Sequence, residues 1–421
     1  MRRAEAVRVP LLRRAVRGAG LLGPAFVAAI AYVDPGNVAA NLSGGARYGY
    51  LLVWVLVVAN VMAGLIQYQS AKLGLVTGRS LPELLGDRLG TRTRRAFWVQ
   101  AEVVAAATDL AEVIGGAIAL NLLFGLPLVL GGVIVGVVSM ALLAGQSRYG
   151  QRPFEYVIVG MLGVIAIGFL AGLVVGPPSV GGIVGGLVPR FAGPSSVVLA
   201  ASMLGATVMP HAIYVHSALA RDRHGVSETP RALAGLLRAT KWDVGIALGL
   251  AGIVNLGMLL LAAVNLRGVG ATDTISGAHA AIVSSLGPTI GLVFAIGLLA
   301  SGLASTSVGS YAGATIMAGL LQRRVPIVVR RLVTLVPALV ILALGIDPTL
   351  ALVISQVALS FGIPFALVAV MRLTSDRTLM GERVNRPVIR VLLAVIVVLV
   401  VALNLALIVL TIAPAGVAPP D

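Results

Sequence analysis

The sequence reads AYVDPGN over residues 31–37 and ATVMPH over residues 206–211, each inside a stretch that is otherwise apolar enough to cross a bilayer. Proline removes a helical hydrogen bond and disfavours helical geometry in the residue before it, and glycine lets the backbone leave the helix. Two membrane-spanning helices are therefore predicted to break at Asp34 and Met209. Carbonyl groups freed at membrane depth persist only where they line a cavity or bind a ligand.

Composition places the chain among membrane proteins. Apolar residues make up 58% of it and charged residues 11%, whereas soluble domains carry about 25% charged residues. Apolar stretches of membrane-spanning length recur throughout, so we predict an all-α integral membrane protein with eleven transmembrane helices. The predicted spans are residues 21–46, 50–75, 95–123, 127–144, 154–175, 195–220, 243–263, 289–321, 332–344, 349–371 and 388–412.

The distribution of positive charge predicts the orientation. Among the 31 Lys and Arg residues, all but Arg47, Arg190 and Arg267 fall on one side of the predicted spans. Since cytoplasmic loops carry the excess of Lys and Arg, the N-terminus is predicted to be cytoplasmic and the C-terminus extracytoplasmic, in a plasma membrane. This placement argues against a nucleic-acid partner for the net charge of +15. The absence of cysteine excludes disulfides and thiolate metal sites.

The two broken helices are the first and the sixth predicted spans. A repeat of five spans has an odd number of crossings, so its second copy is inverted in the membrane, as in many secondary transporters. In that architecture the substrate binds near the midplane, where the breaks meet. The plain alternative is two unrelated proline kinks. The predicted units are a basic N-terminal segment (1–20), a first five-helix repeat (21–175), a second, inverted five-helix repeat (195–371) and an added eleventh helix (388–412).

The residues at the two breaks predict a divalent-metal site. A carboxylate such as Asp34 at a helix centre costs about 2.5–3.5 kcal/mol on insertion scales, so it needs a functional reason. Asn37 adds an amide oxygen, and the Ala206 carbonyl loses its helical donor because Pro210 has no N–H. The thioether of Met209 favours softer ions such as Mn²⁺ or Fe²⁺ over Mg²⁺ and Ca²⁺. The alternatives are a helix cap for Asn37 and a core filler for Met209.

The third predicted span carries an acidic stripe. Glu102, Asp109 and Glu112 lie within an arc of about 80° on one helix face. Such a stripe serves either as a proton relay or as part of a network paired with arginine, for which Arg330 and Arg331 are the nearest candidates. Structural salt bridging is the alternative.

Three further polar residues lie inside predicted spans. His211 borders the second break, and an unperturbed histidine titrates near neutral pH, so a proton role, a structural role and metal ligation all stay open for it. His216 lies about 140° further around the helix, so the two histidines do not form a chelating pair. Gln356 contacts either the substrate or a neighbouring helix.

These residues together resemble the signatures of a known family. They are Asp34-Pro-Gly-Asn37, Met209-Pro-His211, Gly44-Gly-Ala-Arg-Tyr-Gly-Tyr50, Thr108-Asp109-Leu-Ala-Glu112 and Arg330-Arg331-Leu332. The sequence is similar to the Nramp (natural resistance-associated macrophage protein) metal transporters over essentially the whole chain from about Leu21 onward.

The resemblance implies a LeuT-like fold, a cytoplasmic N-terminus and proton-coupled uptake of Mn²⁺ or Fe²⁺, with no cofactor and no obligate protein partner. It implies metal ligands, which are Asp34, Asn37, Met209, the Ala206 carbonyl and, in some conformations, Gln356. It also implies a proton route, which comprises Asp34, Asp109, Glu112, His211, Arg330 and Arg331. Glu102 and His216 are candidates for supporting roles.

Three other functions remain open at this point. A Na⁺-coupled amino-acid transporter of the same fold is disfavoured because Asp34 would repel the substrate carboxylate. A membrane-embedded metalloenzyme would need a ligand triad with an activated water, and the sequence has no His-Glu-x-x-His motif and no clustered histidines. A channel is disfavoured by the paired interrupted helices, which favour a gated carrier.

Overall fold

The computed structural model describes residues 23–225, 229–270, 274–322 and 327–412. Within these ranges the regular structure is helical, and no strand occurs. The fold-class prediction of an all-α membrane protein is therefore confirmed. The predicted basic segment 1–20 and the chain after residue 412 lie outside the described residues.

The first half of the chain begins with an interrupted helix. Its parts are α1 (Pro24–Ile30), a 3₁₀ turn (Ala31–Val33) and α2 (Pro35–Tyr48). The following helices are α3 (Val53–Thr77), α4 (Leu81–Arg88), α5 (Thr91–Phe124), α6 (Leu128–Tyr149), α7 (Gln151–Val175) and α8 (Val180–Gly186).

The second half begins with the other interrupted helix, which consists of α9 (Pro194–Thr207) and α10 (Pro210–His224). The remaining helices are α11 (Pro230–Asn265), α12 (Ile275–Leu286), α13 (Pro288–Leu321), α14 (Ile327–Ala343), α15 (Pro348–Thr374), α16 (Arg377–Met380) and α17 (Pro387–Ile412).

Each predicted span coincides with a helix or with an interrupted helix pair. In the described part of the chain, 9 helical segments are long and apolar enough to cross a membrane, counting α9 and α10 together. The first predicted span is divided into pieces that are individually shorter, and α14 has only 17 residues. The total of eleven crossings and the division into two repeats therefore stay predictions.

Helix α11 extends well beyond the apolar segment that the sequence marks. It begins at Pro230 rather than at Asp243, and the Thr229 side chain caps it by accepting a hydrogen bond from the Ala232 N–H. Its first turns carry Arg231, Arg238 and other polar residues, so hydropathy detects only the later, apolar part. The helices α4, α8, α12 and α16 were not predicted as spans for a different reason, because each is shorter than a membrane-spanning segment.

Small residues allow the central helices to approach closely. A Cβ on Gly302 of α13 would lie 2.9 Å from the Gly116 backbone of α5, and one on Gly168 of α7 would lie 2.7 Å from Gly297 of α13. Close approach through small residues is the common way in which membrane helices pack. It places α13 directly against α5, the helix that carries the acidic stripe.

Polar side chains of α11 hold both pieces of the first interrupted helix. The carboxylate of Asp243 accepts hydrogen bonds from the N–H groups of Gly23 and Ala25, each at 3.0 Å, and so caps the start of α1. Further along α11, Asn255 accepts a hydrogen bond from Asn41 of α2 at 2.8 Å. Helix α11 thus contacts this interrupted helix on both sides of its break.

Candidate functional site

The first break is centred on Asp34. Its backbone is extended (φ −73°, ψ 168°), as the following proline predicts, and it separates the 3₁₀ turn from α2. The Oδ1 atom of Asp34 caps α2 by accepting from the Asn37 backbone N–H at 2.7 Å, and it also accepts from Asn37 Nδ2 at 2.8 Å. The helix cap predicted as the alternative role of Asn37 is thus performed by the Asp34 side chain.

Neighbouring helices satisfy the backbone carbonyls at this break. Asn255 Nδ2 of α11 donates to the Tyr32 carbonyl at 2.6 Å, and Ser301 Oγ of α13 donates to the Val33 carbonyl at 2.6 Å. Such partners are what a broken helix requires inside a membrane. No role was predicted for Asn255 from the sequence, where it stands out only as a lone amide within an otherwise apolar span.

The second break separates α9 from α10 at Val208 and Met209. Met209 is extended (φ −74°, ψ 120°), again as expected before a proline. The Ala206 carbonyl accepts from Asn37 Nδ2 at 2.9 Å. This hydrogen bond joins the two breaks directly, across 169 residues of sequence.

Gln356 of α15 lies against the first break. A Cβ on Gly36 would overlap the Gln356 side-chain amide, so only glycine permits this approach. The Gln356 backbone in turn packs against Gly205 of α9. Gln356 and Met209 are both fully buried. The structure therefore gathers Asp34, Asn37, the Ala206 carbonyl and Gln356 in one buried region, with Met209 at the second break.

Several oxygen atoms in this region lack a hydrogen-bond donor. They are Asp34 Oδ2, Asn37 Oδ1 and Gln356 Oε1, all buried. Buried acceptors are normally paired, and leaving one unpaired costs about 1–3 kcal/mol. One carboxylate oxygen and two amide oxygens without donors suit a cation. In the described residues no cluster of three or more His, Cys, Asp or Glu side chains offers a different metal site.

The acidic stripe of α5 contacts arginines of α14. Arg331 lies 3.2 Å from Asp109, measured between Nη1 and Oδ1, and both side chains are buried. Arg330 lies 3.2 Å from Glu102, measured between Nη2 and Oε1. The predicted pairing of acids with Arg330 and Arg331 is thus present.

Glu112 differs from the other two acids of α5 because, among the described residues, it forms no ion pair with an arginine. Both of its carboxylate oxygens are buried without a hydrogen-bond partner, and they lie against Gly309 of α13. This residue is separated from Asp109 by one helical turn. An unpaired acid inside a membrane protein marks a functional group by default.

The two histidines of α10 have separate surroundings. His211 Nδ1 lies 3.4 Å from Thr108 Oγ1 of α5, and its Nε2 atom has no partner. His216 Nδ1 lies 2.7 Å from Gln67 Oε1, and Gln67 Nε2 donates to the Tyr32 hydroxyl. His216 therefore joins a polar chain that leads to the first break. Tyr32 and Gln67 were not predicted as site residues. In the sequence they stand out only as polar side chains within apolar spans.

Known proteins resemble this chain along nearly its full length. A family model described as natural resistance-associated macrophage protein-like matches residues 25–410. A divalent metal cation transporter MntH of Mycobacterium tuberculosis is 61% identical over 392 residues, which cover 93% of this chain and 92% of that protein. The MntH of Deinococcus radiodurans is 45% identical over 385 residues, covering 91% of this chain and 88% of that protein.

Solved structures agree with the fold. A manganese transporter of Eremococcus coleocola, crystallised with an aromatic bis-isothiourea compound, superposes with a TM-score of 0.86 at 30% identity, covering 99% of this chain and 92% of that one. Mhp1, a nucleobase-cation-symport-1 family transporter, superposes with a TM-score of 0.61 at 16% identity, covering 92% of this chain and 90% of that one, which shows likeness of fold alone. From the family match and these relatives, the chain belongs to the Nramp family.

Proposed function

We propose that this chain imports divalent transition-metal ions, Mn²⁺ or Fe²⁺, across the plasma membrane by proton-coupled alternating access. One observation carries the proposal. The Asn37–Ala206 hydrogen bond joins the two helix breaks, and buried oxygen atoms around it have no hydrogen-bond donor. The relatives' names, which specify divalent metal cations and manganese, support the same substrate class.

In this proposal the metal ligands are Asp34, Asn37, the Ala206 carbonyl, Met209 and, in some conformations, Gln356. The Asn37 amide nitrogen now lies between two acceptors, Asp34 Oδ1 and the Ala206 oxygen. Its N–H groups supply the partial positive charge between these two oxygens that a bound metal ion would otherwise supply. Metal entry then requires the Asn37 amide to turn, which presents its unpaired Oδ1 atom to the ion and frees the Ala206 carbonyl.

Met209 gives the site its selectivity. Carboxylate, amide and carbonyl oxygens alone suit Ca²⁺ and Mg²⁺ as well as Mn²⁺. A thioether adds a soft ligand that those two ions use poorly and that transition metals accept. Met209 is buried in the main apolar core, as a packing residue would be, and its place directly before Pro210 at the second break is what favours a ligand role.

We assign the proton route to Asp34, Glu112, Asp109 and His211, continuing to Arg331 and Arg330. Glu112 is its central element, since its carboxylate lacks a donor and lies one turn from the Asp109–Arg331 pair. Glu102, paired with Arg330, extends the series of charged groups along α5. His216 supports the break through the chain to Tyr32.

The proposed orientation places the N-terminus in the cytoplasm and the C-terminus outside. An inward-negative membrane potential then assists cation entry by about 2.3 kcal/mol per charge per 100 mV. Rocking of one repeat against the other, over residues 21–175 and 195–371, would alternate access to the midplane site, with α17 outside both repeats.

Two other functions fit the site less well. An amino-acid carrier of this fold would direct half-helix N-termini at the substrate carboxylate, whereas Asp34 places a carboxylate at the break. A metalloenzyme would need three protein ligands and an open coordination position. The described residues contain no cluster of three or more His, Cys, Asp or Glu side chains that could supply them.

The decisive experiment is Mn²⁺ uptake into proteoliposomes that hold an inward-negative potential, with Mg²⁺ and Ca²⁺ as competitors. Wild type should accumulate Mn²⁺, and Asp34→Ala should abolish uptake. Met209→Ala should lose discrimination against Ca²⁺ and Mg²⁺. Absence of Mn²⁺ uptake by wild type, or normal uptake by Asp34→Ala, would overturn the proposal.

A further inference from the structure

A cavity lies where α5 begins and α13 ends, and none of its described lining residues belongs to the helix breaks. It has a volume of about 430 Å³ and is lined by Arg94, Arg95, Trp98, Val99 and Leu321. That volume is within the range of small-ligand sites. Nothing in the proposed metal or proton pathway uses these residues.

No carboxylate of the described residues forms an ion pair with the arginines of this cavity. Arg94 donates from Nη1 to the Gly86 carbonyl at 3.2 Å, which fixes its guanidinium, but its buried Nε atom has no partner. In the described parts of the chain, neither Arg94 nor Arg95 forms an ion pair with a carboxylate.

The nearby acids are engaged elsewhere. Glu102, further along the same helix, pairs with Arg330. Asp87 pairs with Arg79 and accepts from Gln322. The guanidinium groups of Arg94, which is partly buried, and Arg95, which is exposed, line one cavity without a carboxylate partner among the described residues, and a bound anion would supply the counter-charge. Guanidinium groups bind phosphate oxygens in a bidentate geometry, which makes phosphate the anion that suits them best.

The other described lining residues, Trp98, Val99 and Leu321, present mainly apolar surface. Val99 is 50% exposed on a helix of membrane-spanning length, and the Trp98 ring and Leu321 continue this surface. Tryptophan at the end of a membrane-spanning segment is typical of the head-group region of a bilayer. A ligand with an anionic head and an apolar tail therefore matches both parts of the cavity.

We propose that this cavity binds the phosphate-bearing head group of an anionic phospholipid, with Arg94 and Arg95 contacting the phosphate and Trp98 contacting the start of the acyl chains. The site lies on the side of the protein where the basic residues gather. It is independent of the ion that the protein carries.

The full-length protein can report on this site with its own tryptophans, because it contains only Trp54, Trp98 and Trp242. In a background with Trp54→Phe and Trp242→Phe, Trp98 is the sole fluorophore. Nanodiscs containing brominated phosphatidylglycerol or brominated phosphatidylcholine then measure which lipid lies beside Trp98. We expect stronger quenching by the anionic lipid, and a roughly tenfold weaker preference after Arg94→Gln combined with Arg95→Gln.

Arg92→Gln is the matched control, since Arg92 is an exposed arginine at the start of the same helix that does not line the cavity. It should leave the preference unchanged. Equal quenching by the two lipids, or equal effects of the Arg92 and Arg94/Arg95 variants, would overturn the proposal. Because the tryptophan substitutions themselves could disturb folding, lipid retention by otherwise wild-type protein and the arginine variants is also measured by native mass spectrometry.

Inorganic phosphate tests whether the phosphate group bound here belongs to a lipid or to a soluble anion. It is added to zwitterionic nanodiscs at constant ionic strength while Trp98 emission is followed. No response, together with the preference for phosphatidylglycerol, supports a lipid head group. Saturable binding of inorganic phosphate without any lipid preference would show that the site takes a soluble phosphate, and would overturn the lipid assignment.

Discussion

Asn37 Nδ2 lies 2.9 Å from the carbonyl oxygen of Ala206, and this hydrogen bond connects the two helix breaks. The same nitrogen lies 2.8 Å from Asp34 Oδ1. One amide group thus holds together two backbone segments that have lost their own helical hydrogen bonds. The region is arranged around an electropositive centre before any ion enters.

Removal of this amide tests its double role. Asn37→Ala deletes a proposed ligand and leaves the buried Ala206 carbonyl without a donor, which costs about 1–3 kcal/mol. We expect the Mn²⁺ affinity, measured by isothermal titration calorimetry, to fall by on the order of tenfold or more. Asn265→Ala is the control, since Asn265 also donates to a backbone carbonyl but within its own helix. Equal losses of affinity in both variants would contradict the role of Asn37.

Met209 and Met203 provide a matched pair of buried methionines on the second interrupted helix. Truncating either to alanine should lower the free energy of unfolding by about 2–5 kcal/mol. Only Met209→Ala should lose selectivity for Mn²⁺ over Ca²⁺, by on the order of tenfold. Competition uptake assays and thermal unfolding, run side by side, separate the two effects. A selectivity loss of similar size in Met203→Ala would show that packing, rather than the thioether ligand, sets selectivity.

Variants of the buried Arg331–Asp109 pair can distinguish a structural role of the pair from a role in proton coupling. Arg331→Gln leaves the Asp109 carboxylate uncompensated, a change that typically costs about 3–5 kcal/mol in stability. Adding Asp109→Asn should restore most of the melting temperature because the remaining pair is neutral. Proton influx during Mn²⁺ uptake, followed with a pH-sensitive dye inside the vesicles, should stay impaired in the double variant. Full recovery of proton influx would assign the pair to structure alone.

The Gln356 side chain fills the space that a side chain on Gly36 would need. In Gly36→Ala the new Cβ would overlap the Gln356 amide, so we expect loss of Mn²⁺ uptake with a lower melting temperature. Gly64→Ala is the control, because no atom lies within 4 Å of its added Cβ. That substitution should be neutral or stabilise the protein by up to about 1 kcal/mol. If Gly36→Ala behaves like Gly64→Ala, Gln356 does not need to reach the break.

The parts of this structure that depend on local chemistry were predictable from the sequence. Asp34 and Met209 both precede proline, and both adopt the extended backbone that a following proline imposes. The α14 arginines that meet Glu102 and Asp109 were predictable because charges inside a membrane protein require partners.

The partners of the first break were not predictable, since they depend on tertiary contacts. Asn255 reaches the Tyr32 carbonyl across 223 residues, and His216 reaches Gln67 across 149. Periodicity and hydropathy describe single segments and carry no information about such distances. The early start of α11 at Pro230 escaped prediction for a different reason, because its polar first turns lie outside the apolar segment.

Asn255 holds both sides of the first break, through the Tyr32 carbonyl before it and the Asn41 amide after it. If α1 and α2 move independently during transport, the Asn255 side chain must break one of these two hydrogen bonds. It then acts as a latch, a contact that has to open before the two helix pieces can move apart. Each such hydrogen bond contributes about 0.5–1.5 kcal/mol, comparable to the few kcal/mol that separate exchanging conformers. The latch would therefore set how often the empty carrier changes its facing, and Asn255→Leu should alter the rate of Mn²⁺ exchange more than Mn²⁺ affinity. An unchanged exchange rate would exclude it.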